Sequence, residues 1–446
     1  MQLENLAAEV LEHARDIGAT AGDILIASGE SFSAGVRLGD VEKVQQSQEK
    51  RMGLRLFVNQ RSAITSTADF TRDALNDLVE ETVALAKATA ADDFSGLPEQ
   101  HLLARDIPNL DLSDTTVSFS PEEKIALARE GEAAALGTDS RITNSEGAEF
   151  SNDSHEVLYA NSLGFVGHYR TTSYSLTVVP VASQNGAMQR DYWYSSHRKF
   201  SKLESPAAIG KIAAERTLRR LGARRVKTQD APVVFDPQMA ASLLRHLAGA
   251  ISGPALYRKT SFLLGKLGEQ IAMRDVSIID DARIPSALGS KPFDGEGLPT
   301  QRTTVVNDGI LSSYLLDSYS ARKLGMQSTG SASRSFSDAP TASTTNLFLE
   351  PGTVSPAEII RSVRSGLYVT ELSGFGVNPV TGDYSRGATG LWIESGELTY
   401  PVEEITIAGN LLSMFQNIEV IGNDLELRST VAAPTLKIAQ MMIAGE

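Results

Sequence analysis

The stretch Val233-Val234-Phe235-Asp236-Pro237, followed closely by Ala240-Ala241-Ser242-Leu243-Leu244-Arg245-His246-Leu247-Ala248-Gly249-Ala250-Ile251-Ser252-Gly253, divides the chain in two. Its first run is short, apolar and closed by Asp-Pro, the pattern of a buried strand. Its second run is apolar at helical spacing, which predicts a helix over 238–252 packed inside its own domain. A histidine inside an apolar helix is a residue that could bind a metal or move a proton. His246 stands alone, however, with no second histidine at i+3, i+4 or i+5 and no glutamate at i+1. A mononuclear catalytic zinc takes three protein ligands and an open fourth position, and this helix offers at most one.

Outward from that seam, composition sets the frame. The 446 residues exceed one ordinary core, so two domains are expected, 1–228 and 229–446. With 41% hydrophobic and 22% charged residues and no low-complexity tract, the chain reads as a soluble globular protein. A formal charge of −14 argues against nucleic acid or an anionic membrane surface as the main partner, because both require clustered Lys and Arg. The cluster Arg219-Arg220, Arg224-Arg225 and Lys227 reads as a helix C-terminus and linker, where cations suit the dipole. The absence of cysteine excludes disulfides, thiolate ligands and a Cys nucleophile. Met1-Gln2-Leu3-Glu4-Asn5-Leu6 lacks a basic segment followed by an apolar one, and no window is apolar for long enough to span a bilayer. The expected location is the cytoplasm.

Upstream of the seam, Leu3, Leu6, Val10, Leu11, Ala14 and Ile17 recur at helical spacing and predict a helix over 2–18. Short strands are expected at 24–26, 33–38, 41–44, 54–58 and 62–66, then a helix capped by Asp69 with Leu75, Leu78, Val79, Val83 and Leu85 on its apolar face. A polar, irregular stretch at 90–118 separates this unit from the next. Ser120-Pro121-Glu122-Glu123 has capping-box spacing with proline at the first helical position. Strand-rich sequence follows, with a turn at Asn161–Gly164 and a hairpin signal at Asn185-Gly186. Ser205-Pro206 opens a further helix stopping at Leu221-Gly222. His155-Glu156 begins like a zincin motif, but Tyr159 occupies the next ligand position, so His155 reads as a surface or sheet-edge residue.

Downstream, glycine becomes more frequent and strands shorten, with hairpins at Val305–Leu311 and Trp392–Leu398. The expected fold class is α+β: an N-terminal helix-covered antiparallel sheet domain and a β-rich, barrel-like C-terminal domain.

Several downstream segments resemble the TldD/PmbA peptidase family, and its PmbA (TldE) branch in particular. They are Ser261–Gly268, Pro292-Phe293-Asp294-Gly295-Glu296-Gly297, Asp317–Gly325, Thr381–Ala388, Glu404–Leu411 and Ile421-Gly422-Asn423-Asp424. The resemblance extends, more weakly, over the N-terminal half. It implies that a TldD-type chain carries HExxxH on this helix, with two zinc-binding histidines, a glutamate as general base, and a later cysteine. Matched residue by residue, Arg245 stands at the first ligand position, His246 at the glutamate position and Ala250 at the second ligand position. The cysteine would fall within Arg428–Pro434, which has none. A guanidinium repels zinc and alanine offers no donor. The resemblance therefore implies no catalytic and no metal-binding residue in this chain, with zinc held by a TldD-type partner. Together the two would form a channel that degrades unfolded peptides and trims leader-bearing ones.

Candidate channel residues are His246 and the run Asp383-Tyr384-Ser385-Arg386, which also reads as a tight loop between strands. His246 reads in the first place as a satisfied core or interface histidine, and Arg245 as one half of an ion pair, across an interface or on a solvated surface. Asp294 and Glu296 read as a turn in a flexible glycine-rich loop, suited at best to weak magnesium or calcium binding. No Gly-x-Ser-x-Gly elbow supports a serine mechanism, and Gly374-Phe375-Gly376 is too short for a nucleotide loop. Two other classes stay open: an autonomous homodimeric peptidase with an unrecognised site, and a non-enzymatic peptide-binding scaffold.

Overall fold

The computed structural model describes residues 3–446, so Gln2, placed by periodicity in the first helix, lies outside them. Helix α1 (Leu3–Asp16) leads into β1 (Ala21–Arg37), β2 (Asp40–Val58), β3 (Arg61–Thr67) and α2 (Arg72–Ala88). After α3 (Pro121–Leu136) come β4 (Ile142–Asn161), β5 (Val166–Gln184), β6 (Ala187–Arg190), β7 (Trp193–His197) and α4 (Pro206–Leu218). The seven strands form one antiparallel sheet in the order β3-β2-β1-β4-β5-β6, with β7 also paired to β5. One end of its apolar face, with Ile24, Ile26, Leu54 and Leu56, lies under Leu6 and Val10 of α1 and Leu78 and Val79 of α2. The other end, with Phe150, Leu176 and Val178, lies under Ala128 of α3 and Ile209 and Ala213 of α4.

Local chemistry explains where sequence reading held and where it slipped. The Ser120–Glu123 capping box is present in both directions. Asn185 and Gly186 both take positive φ, 53° and 81°, as a two-residue hairpin turn demands. The expected pairs of short strands are instead single long ones: Gln45–Arg51 stays in register with Ser33–Ala27 although its side chains are polar. Backbone pairing needs no apolar side chain when a sheet face is solvated. Asp69 is not the N-cap of α2; Thr71 is, and Asp69 accepts a hydrogen bond from its N–H at 2.8 Å. Leu85 is 44% exposed, with Thr82 and Ala86 completing the buried face. His155 is not at a sheet edge, since β4 is paired on both sides, to Gly29 and to Thr171. The helix begun at Ser205 ends at Leu218, before the expected stop.

The C-terminal half begins with β8 (Gln229–Phe235), α5 (Pro237–Ile251) and α6 (Gly253–Tyr257). It continues through β9 (Ile278–Asp281), β10 (Arg302–Asn307), β11 (Ile310–Leu311), α7 (Ser318–Leu324), β12 (Ala332–Ser333), β13 (Thr341–Ala342) and β14 (Leu347–Leu349). Then come α8 (Pro356–Arg361), β15 (Ser365–Ser373), β16 (Asp383–Glu394) and β17 (Glu397–Asn410). The chain finishes with α9 (Leu411–Gln416), β18 (Ile418–Ile421), β19 (Val431–Ala432) and β20 (Leu436–Ala444). Strands run β17-β16-β15-β8-β20, and β17 pairs back onto β20, so this ring closes into a barrel. A second sheet, β11-β10-β9-β14-β19, stands beside it. Helix α5 packs against strands of both, burying Leu243, Leu244, Leu247 and Ile251 with Phe235, Leu347 and Val369. Each such side chain contributes roughly 1.5–3 kcal/mol by leaving water.

The irregular 90–118 segment is a strap rather than a simple spacer. Tyr319 of α7 donates to Asp92 at 2.7 Å, Ala104 N–H to the Gly297 carbonyl at 2.9 Å, and the Ser286 hydroxyl to the Asp111 carbonyl at 2.8 Å. Among the described residues no helix is long and apolar enough to cross a membrane.

Candidate functional site

The start of α5 is fixed by its own cap and by the N-terminal half of the chain. Asp236 accepts from Met239 N–H at 2.9 Å, and Pro237 supplies the pre-set φ of the first turn. Burial pushes the Asp236 carboxyl up to about 6 despite Arg216, whose Nη1 lies 3.6 Å from it. Arg216 belongs to α4 and also reaches Asp191 at 3.5 Å, so one guanidinium ties α4 to the cap of α5. Trp193 of β7 has Arg216 and Arg428 within 5.2 and 4.7 Å of its ring centre. Its indole N–H donates to Glu204 at 2.9 Å, and Glu204 also takes Arg428 at 3.0 Å. Between this wall and α5 lies a cavity of about 350 Å³, lined also by Tyr194, Gln238 and Arg245 and by residues of the 428–433 segment.

Of the residues singled out by sequence, Arg245, His246, Tyr384 and Arg386 come together. Arg245 is exposed at the cavity and forms no ion pair among the described residues. His246 is half-buried, its ring 6.1 Å from that of Tyr384 at 80°. It is not a satisfied histidine: its Nε2 and the Tyr384 hydroxyl are both shielded from solvent without a hydrogen-bond partner among the described residues. Burial, then Arg386 and Arg245, hold the imidazole below its ordinary value of 6.5, while burial pushes the Tyr384 hydroxyl up. The run 383–386 is not a loop but the first residues of β16, so its side chains alternate. Asp383 and Ser385 are exposed, Tyr384 is buried and Arg386 half-buried. Asp383 takes the Thr381 hydroxyl at 2.6 Å and lies apart from the His246 cluster. Ala250 is buried in the core.

Among the described residues, no three His, Cys, Asp or Glu side chains are placed to hold a metal ion. The charged neighbours that shift His246 are guanidinium groups, which repel a divalent cation. Zinc does not fit this donor set.

Sequence reading missed a second cluster, where β1, β2 and β4 meet the C-terminal half. Asp23, fully buried, accepts from Arg55 Nε at 3.0 Å, from Arg334 Nη1, and from the Tyr159 hydroxyl at 3.3 Å. Arg55 also lies 4.0 Å from Glu296. The expected turn at Asp294–Gly297 exists, but it is buried and not a flexible surface loop. Asp294 accepts the N–H groups of Glu296 and Leu298 at 2.8 and 2.9 Å, and that of Ala332 at 3.1 Å. Glu296 accepts Ser318 N–H at 2.8 Å, and burial, reinforced by Asp294 and opposed by Arg55, pushes its carboxyl to about 7. The one signal in the sequence was two carboxylates inside Asp294-Gly295-Glu296-Gly297. Nothing marked Asp23, Arg55 or Arg334, which meet only in three dimensions.

Comparison with known proteins places this geometry. Residues 22–86, 115–221 and 228–445 match the models of PmbA/TldA metallopeptidase domain 1, central domain and C-terminal domain. The chain is 40% identical to the metalloprotease PmbA of Escherichia coli O157:H7, over 95% of this chain and 92% of that one. It superposes with a TM-score of 0.92 on a proposed modulator of DNA gyrase from Bacteroides thetaiotaomicron, at 30% identity over 99% of both chains. TldE from Thermococcus kodakarensis shares the fold, with a TM-score of 0.88 at 20% identity over 99% of this chain and 100% of that one. The relatives thus share this architecture of a closed barrel beside a helix-covered sheet, and the chain belongs to the PmbA/TldD metallopeptidase family.

Proposed function

We propose that this chain is a non-catalytic, PmbA/TldE-like subunit of a cytoplasmic zinc metallopeptidase complex. In this reading a TldD-type chain supplies the zinc, and this chain completes the chamber and guides unfolded or leader-bearing peptides toward it. What carries the reading is the donor set of α5, with Arg245, His246 and Ala250 standing where the family resemblance implies HExxxH. No cysteine follows in 428–434. A zinc-bound water needs three ligands to hold the metal and a carboxylate to take the proton, and α5 offers one imidazole between two guanidiniums. A cleft lies beside α5, which suits a role in handling peptides rather than cutting them.

The test combines elemental analysis with a peptidase assay on denatured protein substrates, first with the purified chain and then with a TldD-type chain added. The expected outcome is no stoichiometric zinc, no cleavage alone, and cleavage with the partner. Zinc-dependent cleavage by the chain alone, lost on chelation, would overturn it.

A further inference from the structure

Three features of the cleft beside α5 have chemistry that is not used within the chain. Gln238, in the first turn of α5, has both Nε2 and Oε1 shielded from solvent without a hydrogen-bond partner among the described residues. One donor and one acceptor, held side by side, are the complement of a peptide group. Arg216 is 9% exposed, and its Nε and Nη2 make no hydrogen bond although Asp191 and Asp236 balance its charge. Arg245 differs from the other guanidiniums of the wall. Arg428 is taken up by Glu204 and Glu426, whereas Arg245 stands exposed at the cavity with no ion pair among the described residues. Trp193 and Tyr194 add an aromatic side. A volume of about 350 Å³ admits a few residues of extended chain, and not a folded domain.

Building on the peptide-handling role proposed above, we infer that this cleft binds an extended peptide carrying a carboxylate. The Gln238 side chain, shielded in the free chain, turns toward the cleft and pairs with one main-chain amide through both ends of its own amide, and Arg245 takes the carboxylate. That carboxylate comes either from an Asp or Glu side chain or from the C-terminus of the peptide. The remaining groups set the environment: the lining carboxylates Asp236, Asp424 and Glu426 disfavour a second anion beside them, so the carboxylate sits at Arg245.

Isothermal titration calorimetry with three unstructured Gly/Ser peptides tests this on the intact chain. One carries internal glutamates and an amidated C-terminus, one is neutral with a free C-terminal carboxylate, and one carries lysines and an amidated C-terminus. At least one carboxylate peptide should bind, which of the two identifying the source, and the lysine peptide should not. Arg245→Ala and Gln238→Leu should each weaken binding about tenfold, the loss of one charged or paired hydrogen-bond set. Arg245 is exposed, so its truncation keeps the fold and carries the test should Gln238→Leu unfold. Equal binding of the lysine peptide, no binding of either carboxylate peptide, or parental affinity in Arg245→Ala would overturn the site. Reconstitution separates this from the subunit role. If a TldD-type chain restores cleavage and Arg245→Ala changes neither binding nor cleavage, the cleft is wrong and the subunit role stands. If the chain cleaves alone, the subunit role fails whatever the cleft binds.

Discussion

Two polar clusters sit where the halves of this chain meet, and they are built in opposite ways. At the Asp23–Arg55–Arg334–Glu296 junction each charge has a counter-charge, although Arg334 Nε and the Ser318 hydroxyl make no hydrogen bond among the described residues: two guanidiniums and a phenol converge on Asp23, and Ser318 N–H and Arg55 face Glu296. At the α5 cleft, among the described residues, Gln238 keeps shielded polar atoms with no partner and Arg245 makes no ion pair, and on the neighbouring face of α5 His246 and Tyr384 likewise keep shielded polar atoms without one. A buried group whose partners are all internal fixes the fold. Unmet polar atoms beside a cavity are instead a standing cost, and a ligand could offset it. The closed cluster therefore reads as the joint between halves, and the open one coincides with the cleft proposed above to bind peptide.

The sharpest way to break this contrast is Asp23→Ala. It leaves Arg55 and Arg334 buried without a counter-charge, and should lower stability by about 3–5 kcal/mol in urea unfolding. A loss below about 1 kcal/mol would show that the junction is not a joint at all.

The next test uses pH. Glu296 rises on folding from an ordinary 4.5 to about 7, and Asp236 and Asp280 rise from 3.8 to about 6. Burial is the largest cause for all three. The folded chain thus holds these protons more tightly than the unfolded one. Their contribution is fully present below the unfolded values and is lost as pH climbs through about 6 to 7. The urea midpoint should therefore be higher at pH 5 than at pH 7.5. Glu296→Gln, which stays neutral and can still accept from Ser318, should remove roughly 2 kcal/mol of that slope. A slope unchanged in the variant would assign the pH dependence elsewhere.

The smallest effect sharpens the open side. The His246 imidazole should titrate below 6.5 by NMR, and Arg386→Ala should move its midpoint upward by removing one neighbouring cation. A midpoint indifferent to Arg386 would separate β16 from the His246 cluster.

Much of the architecture was legible residue by residue. Ser120–Glu123 specifies its helix start, Asn185-Gly186 its hairpin, and the spacing of Leu243, Leu244 and Leu247 the buried face of α5. Polarity at Gln45–Arg51 suggests a strand end, although backbone pairing runs on through it with side chains of both alternating sets in solvent. Arg245, His246 and Ala250 could be matched to family positions from sequence, yet sequence could not say that His246 meets Tyr384 or that Asp383 lies apart from that cluster. Alternation along β16 decides that, and Asp383–Arg386 had read equally well as a loop.

By itself, then, the sequence determined what chemistry the chain holds: no thiol, one imidazole on α5, and the α+β pattern of helices and strands. Local propensity and composition act over a few residues, and so they are written there. Only the tertiary structure decided which charges are neutralised and which are left over. Asp23 and Arg334 stand far apart in the chain and meet through Arg334 Nη1. The turn at Asp294–Gly297 is enclosed by Ser318 and Ala332 of its own half and by Arg55 and Tyr159 of the other. Charge balance in a low-dielectric junction depends on distances of a few ångströms between remote segments, and no local pattern in the sequence encodes those distances.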